Sequence, residues 1–312
     1  MMGKTYKIFV IFLLIHHALL AQGIGIDGSG PDVPKEFRQV DEAIEHADEA
    51  LRLNLESKEL TALPPGISKL KHLRYLNLWN NQIIILPVEI IKLKKLEEIN
   101  IGDNPTFNIK DACVKLSHVS SLKKLSLGWN FYSVPPPEIG KLKSLEHLDL
   151  TSNSLYSLPE EISQLDNLTS IILWKNHLSE IPKSIIKINT LTKINFNEND
   201  LSSIPEALEC VNSLEYLLLS DNKISKLPMV LGNMGNLKVL DVSNNRIETI
   251  PVHLCNLKEL KVLILSGNLI NKLPEKMSHF TGLKKLVLTD NPLSEKEVNS
   301  LRLALPNCEI IF

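Results

Sequence analysis

The apolar positions of this chain follow one short template over most of its length. Leu145-x-x-Leu148-x-Leu150-x-x-Asn153-x-Leu155 sets it out, and Leu237-x-x-Leu240-x-Val242-x-x-Asn245-x-Ile247 repeats it four units later. Lys58, Asn81, Asn104, Asn130, Asn153, Asn176, Asn199, Asn222, Asn245, Asn268 and Asn291 occupy one recurring position. They stand 23 residues apart, except for the 26 between Asn104 and Asn130. The alternation inside the central Leu-x-Leu predicts a short strand that sends one side chain to the core and the next to solvent. Such a strand buries too little alone, so successive units must stack as a parallel sheet around a shared core. The recurrent asparagine turns the chain off the sheet. Its amide suits backbone N–H and C=O groups that no strand pairs, and a buried group left unpaired is costly.

A second element follows each asparagine, as in Leu86-Pro87-Val88-Glu89-Ile90 and Leu158-Pro159-Glu160-Glu161-Ile162. Proline lacks a donor and fixes its own φ, which suits a return path outside the sheet. The third unit lacks Leu-Pro and carries three extra residues within 105–121, which predicts a bulge around Cys113. The fourth reads Val134-Pro135-Pro136-Pro137, slightly out of register. Both ends of the array need caps. Phe37, Val40, Ile44 and Ala47 recur at helical spacing and predict an amphipathic capping helix within 31–49. Lys58 takes the asparagine position in an atypical first unit. At the other end, 294–312 predicts a helix from Ser294 to Ala304 and a last short strand before Phe312.

The repeat resembles the leucine-rich-repeat family, in the LPxxI subclass found in bacterial repeat proteins and Ras-group scaffolds. The resemblance covers about residues 50–293, roughly eleven units. It implies an α/β solenoid, a curved right-handed horseshoe with a parallel concave β-sheet, an irregular or short-helical convex side and capping helices at both ends. The C-terminal ending resembles that of bacterial secreted members.

Composition narrows the function classes. At 44% hydrophobic, 22% charged and a net charge of −2, the chain has no basic field to draw nucleic acid, and none is expected as partner. Lys4 and Lys7 precede an apolar run from Ile8 to Leu20 broken only by His16 and His17, with Ala21 and Gly23 after it. This order predicts a secretory signal peptide over 1–23 and a secreted, periplasmic or cell-surface protein. No second run reaches the length of a membrane span, so the mature chain is expected to lack one. Cys113, Cys210, Cys255 and Cys308 are expected to be buried free thiols. Cys210 and Cys255 lie two repeats apart, about 10 Å, too far for a bridge.

Enzymatic chemistry finds little footing. Ser126, His147 and Asp149 fall on one sheet face and suggest a nucleophile, base and orienter, but a smooth sheet offers neither an oxyanion site nor a pocket. Gly232-Asn233-Met234-Gly235 lacks the Lys-Ser/Thr of a phosphate loop. No enzyme activity, metal or cofactor is expected.

Strand alternation lists the outward residues six, four and two positions before each ladder residue. The candidate partner-binding residues are Tyr75, Asn77, Trp79, Asn100, His147, Asp149, Ile172, Trp174, Asn195, Tyr216, Leu218, Asp241 and Ile264, with Trp129 immediately before its asparagine. The early units read polar, and the later ones predict exposed aliphatic side chains. Tryptophan and tyrosine on a rigid concave surface are candidate hot spots. The expected function is a binding module that grips a macromolecule, protein first. Aromatic and amide side chains leave a glycan or cell-wall ligand open. The Ras-group resemblance leaves an intracellular signalling scaffold open.

Overall fold

A computed structural model describes residues 34–312. The signal peptide expected over 1–23 lies outside the described residues. Residues 36–312 form one unit, a solenoid built on a single parallel sheet. Its strands in chain order are β1 Glu36–Phe37, β2 Arg52–Asn54, β3 Tyr75–Asn77, β4 Glu98–Asn100, β5 Lys124–Ser126, β6 His147–Asp149, β7 Ser170–Ile172, β8 Lys193–Asn195, β9 Tyr216–Leu218, β10 Val239–Asp241, β11 Val262–Ile264, β12 Lys285–Val287 and β13 Glu309–Ile311. Each strand pairs with its predecessor and its successor, so strand order equals sequence order. The register is that of the repeat: Leu76 lies beside Leu53 and Ile99, and Leu240 beside Leu217 and Leu263. These inward residues are fully buried. β2 to β12 are the eleven units of the sequence repeat; β1 and β13 are supplied by the caps.

The asparagine ladder works as its chemistry requires. In Asn81 the Nδ2 donates to the carbonyls of Leu55 and Leu78, each at 2.9 Å, while Oδ1 accepts from the N–H of Lys58 and Leu60. Asn222 repeats this with Phe196, Leu219 and Leu201. One buried amide thus satisfies backbone groups of two repeats, which fixes both the turn and the spacing. The residue before each ladder position bends the chain with a left-handed backbone, from Asn80 (φ 54°) to Asp290 (φ 57°).

On the return path Pro87, Pro159, Pro205, Pro228 and Pro251 each precede a 3-10 turn, with φ between −66° and −72°. The apolar residue three positions later, such as Ile90 or Leu208, plugs the core. The fourth unit keeps this register. Pro135 is buried at the position that Leu86 fills in the second unit, and the turn Pro137–Lys141 follows as elsewhere. In the third unit the extra residues form a packed helix rather than a bulging loop. After the short capping helix α1 (Val40–Glu45), this is α2 (Ile109–Leu116), whose Asn108 caps it by accepting from the Asp111 N–H. Cys113 faces the core from it. The other two helices among the described residues are α3 (Lys183–Ile186) and α4 (Glu295–Ala304), the latter started by a capping box of Ser294 and Glu297.

The N-terminal cap departs from the expected helix over 31–49. Phe37 belongs to β1, which pairs with β2 at Glu36–Arg52 and Phe37–Leu53, and only Val40–Glu45 is helical. A strand there satisfies the open edge of the sheet, which a helix could only cover. The cysteines also differ from expectation. All four are free, but Cys210 is exposed and Cys308 half-buried. Cys210 ends its 3-10 turn on the solvent side, whereas Cys255 directly follows the core residue Leu254.

Candidate binding face

Three rows of side chains run across the outer face of the sheet, at the sixth, fourth and second positions before the ladder. The middle row lies between the other two, and its members stand about 4.8 Å apart from strand to strand. Long neighbours therefore close over it. Asn77, Leu218, Asp241 and Ile264 are buried, and Val287 with them. This corrects the expectation of an exposed aliphatic strip in the later units for Leu218, Ile264 and Val287, which are packing residues of the sheet surface, while Val239 and Val262 in the outer row stay partly exposed. Tyr75, Trp79, Asn100, His147, Asp149, Ile172, Trp174, Asn195 and Tyr216 remain partly exposed, and Trp129 is exposed.

The polar members of the middle row have a structural task. Asn77, Asn100, Asp149, Asn195 and Asp241 each accept, through Oδ1, the N–H two residues ahead, at 2.9–3.1 Å. That N–H lies where the strand ends, and the side chain replaces the missing strand partner. Asn77 also donates to Asn54 and Glu56. This row is thus already half engaged within the chain.

The tryptophans are held, each differently. Trp79 lies against Gly102, whose position leaves no room for a Cβ beside the ring. Trp174 donates through Nε1 to Glu198 at 3.0 Å. Trp129 occupies the left-handed turn position with φ 61°, uncommon for a bulky side chain, and Lys175 stands 5.1 Å over its ring. Ser152, in the intervening repeat, is small enough to let that contact form.

At the centre, Ser126 donates directly to Asp149 at 3.0 Å, and His147 Nδ1 is buried without a hydrogen-bond partner. The order nucleophile, base, orienter is therefore not assembled. Burial, with Lys124 next in weight, holds the His147 pKa below its usual value. Lys193 is only 7% exposed, and burial lowers its ammonium to about 8 against the opposing pull of Asp149. Asp241, 3% exposed, is raised to about 6 by burial, although Ser243 donates to it from both N–H and Oγ. Sequence reasoning placed Lys193 on the outer face but did not single it out, since burial of a lysine leaves no mark in the repeat pattern. Gly102 was missed as the seat of Trp79. The signal was available, because Gly102 and Gly128 fill a row where other units carry Trp79, Thr151 and Trp174. Among the described residues no three or more His, Cys, Asp or Glu side chains converge to hold a metal ion. No helix there is long and apolar enough to cross a membrane.

Sequence models of leucine-rich repeats match residues 51–105 and 166–224, a single repeat at 144–165, and a leucine-rich-repeat region at 198–303. No curated protein matches the chain in sequence. Among solved structures, a plant peptide hormone receptor, RGFR1 in complex with RGF2, superposes with a TM-score of 0.64 at 26% identity. That match covers 89% of this chain and 49% of the receptor. An internalin of Listeria monocytogenes gives 0.61 at 20% identity over 86% of this chain and 88% of its own. TLR13, in a complex with ssRNA13, gives 0.66 at 22% identity over 82% of this chain and 41% of its own. These two likenesses are of fold alone. The eleven stacked units, their asparagine ladder and the matching repeat models lead to one assignment: the chain belongs to the leucine-rich-repeat family.

Proposed function

We propose that this chain is a non-catalytic binding module that acts outside the cytoplasm and holds a protein partner against the outer face of its sheet. The observation that carries this reading is the set of partly exposed aromatic side chains on that face, Trp79, Trp174 and Tyr216, with Trp129 at its rim. Aromatic rings already restrained by their own fold lose little conformational freedom on binding, which favours them as anchors. The likeness to a receptor solved with RGF2 supports a ligand of peptide character. Asn100, His147, Asp149, Ile172, Asn195 and Tyr75 surround the aromatics and supply the adjustable contacts. Asn77, Leu218, Asp241 and Ile264 support the surface from below and are not contact residues.

The test is a pull-down from extracts of the producing organism and of cells grown with it. The bait is the wild-type protein beside a variant carrying Trp79→Ala, Trp174→Ala and Tyr216→Ala, with circular dichroism to verify the fold. A partner retained by the wild type and lost by the folded variant upholds the reading. Equal retention by both moves the site off this face.

A further inference from the structure

One flank of the solenoid is apolar where the same positions elsewhere are polar. The third and fourth residues after the ladder position are exposed in most units. From the sixth unit to the tenth they read Ser179-Glu180, Ser202-Ser203, Ser225-Lys226, Glu248-Thr249 and Asn271-Lys272. In the second unit they are Ile84 and Ile85, in the fourth Ser133 and Val134, and in the fifth Tyr156 and Ser157. Phe131, just after its ladder residue, adds a ring that is 66% exposed; Tyr156 is 62%, Ile84 53% and Ile85 48% exposed. Trp129 stands at the edge where this flank meets the binding face.

These segments adjoin one another. The Asn108 N–H donates to the Ile84 carbonyl at 2.7 Å, Tyr132 Oη to the Phe107 carbonyl at 3.0 Å, and the Tyr156 N–H to the Ser133 carbonyl at 3.2 Å. The apolar side chains therefore lie along one flank, with the buried Phe107 and the exposed Asn108 of the third unit between Ile85 and Val134. From their fractional exposure, Ile84, Ile85, Trp129, Phe131, Val134 and Tyr156 together present roughly 650 Å² to solvent, at the upper end of what a monomer ordinarily leaves uncovered.

We infer that this flank, over the second to fifth units, is the contact surface between two copies of the chain in a two-fold dimer. Two such patches bury about 1,300 Å², within the range of stable specific interfaces. None of the six side chains is charged, so placing the patch on itself buries no ion among them; Lys175, over the Trp129 ring, stands at the edge of the patch. A two-fold axis sets the same patch against itself and closes the assembly at two copies. The polar residues at the same positions from the sixth unit on confine the contact to one end of the array. Apart from Trp129 at its rim, the outer face of the sheet stays open in both copies, so the dimer presents two binding faces. This inference does not depend on what that face binds.

Analytical ultracentrifugation of the purified protein from about 1 to 100 µM tests it, with Phe131→Asp and Tyr156→Asp as patch variants. Met229→Asp, at a 72% exposed site in a turn of another unit, is the control. All three sites are exposed, so the fold should survive, and circular dichroism checks this. The expected result is a wild-type dimer, a control dimer, and patch variants whose dissociation constant rises at least about 100-fold. A wild-type monomer throughout the range overturns the inference, and so does a dimer that both patch variants retain. The triple aromatic variant of the binding face should remain dimeric, which separates failure here from failure of the proposed function.

Discussion

Replacing Asp241 by asparagine should make the protein more stable at neutral pH, and the size of the effect follows from the carboxyl's surroundings. Asp241 is buried between β9 and β11, beside Leu218 and Ile264 in the same row, and burial raises its pKa from 3.8 to about 6 despite two hydrogen bonds from Ser243. A carboxyl whose folded pKa exceeds its unfolded value binds its proton more tightly in the native state. Its contribution to stability is thus complete below the unfolded pKa and lost as pH rises through about 6. The difference of pKa corresponds to about 3 kcal/mol at pH 7.5, about half of that at pH 5, and under 1 kcal/mol at pH 4. Asparagine keeps the Oδ1 that accepts from Ser243 and carries no charge to desolvate. Asp241→Asn should accordingly raise the melting temperature by about 5–10 °C at pH 7.5, with the gain narrowing steadily toward pH 4. Paired thermal melts of both proteins at pH 4, 5, 6 and 7.5 read this directly. Equal melting at pH 7.5, or a gain that is the same at every pH, would refute the argument from burial.

Three further outcomes follow from the same structure. Asn222→Ala should cost about 2–3 kcal/mol in urea unfolding, because it leaves the Leu201 N–H without its partner and takes one of two donors from the Phe196 and Leu219 carbonyls, which keep Asn199 and Asn245. Lys193→Met should stabilise the protein at pH 7 by about 2–3 kcal/mol, since a lysine depressed to about 8 pays for its charge there. The gain should fade between pH 8 and pH 10.5, where the unfolded chain still holds the proton that the native one has released. In Gly102→Ala the new methyl would run into the Trp79 ring and approach the Gly128 carbonyl oxygen at 2.9 Å, so the ring must move. A shift in tryptophan emission and a loss of about 1–3 kcal/mol are expected; unchanged emission would show that Trp79 does not rest on that glycine.

Much of the fold was legible because a repeat states each positional requirement eleven times. Leu148, Leu150 and Asn153 predict a strand and a turn once. Their equivalents in every unit predict the sheet order and register as well, since only stacking in sequence order satisfies all units at once. The departures lie where the repeat gives no second opinion. Phe37 fits a helical period and sits in a strand, because the free edge of β2 is a demand of the assembled sheet rather than of the local sequence. Pro135 reads as a break in Leu-Pro, yet its ring fills the place of Leu86. On the binding face, alternation identified which side chains point outward but not which are covered. Coverage depends on the size of neighbours two strands away, as when the short Ser170 lies between His147 and Lys193, or Ser152 between Trp129 and Lys175.

The two buried charges of the outer face bear on why that face is built as it is. Asp241 shares its row with Leu218, Ile264 and Val287, all buried, and Lys193 shares its own with Tyr216, Val239 and Val262. The sheet therefore closes equally well over aliphatic and aromatic side chains at these positions, and neither charge is needed to form a strand or a ladder. Each instead weakens the native state at neutral pH, by the pKa displacements that Asp241→Asn and Lys193→Met are designed to read. Asp241 offsets part of that cost by accepting the Ser243 N–H at the strand end, whereas the ammonium of Lys193 can accept no such N–H. We propose on that argument that Lys193, in the row of Tyr216, serves recognition rather than folding. Lys193→Met should therefore bind a partner less well, and full affinity in that variant would return Lys193 to the structural side.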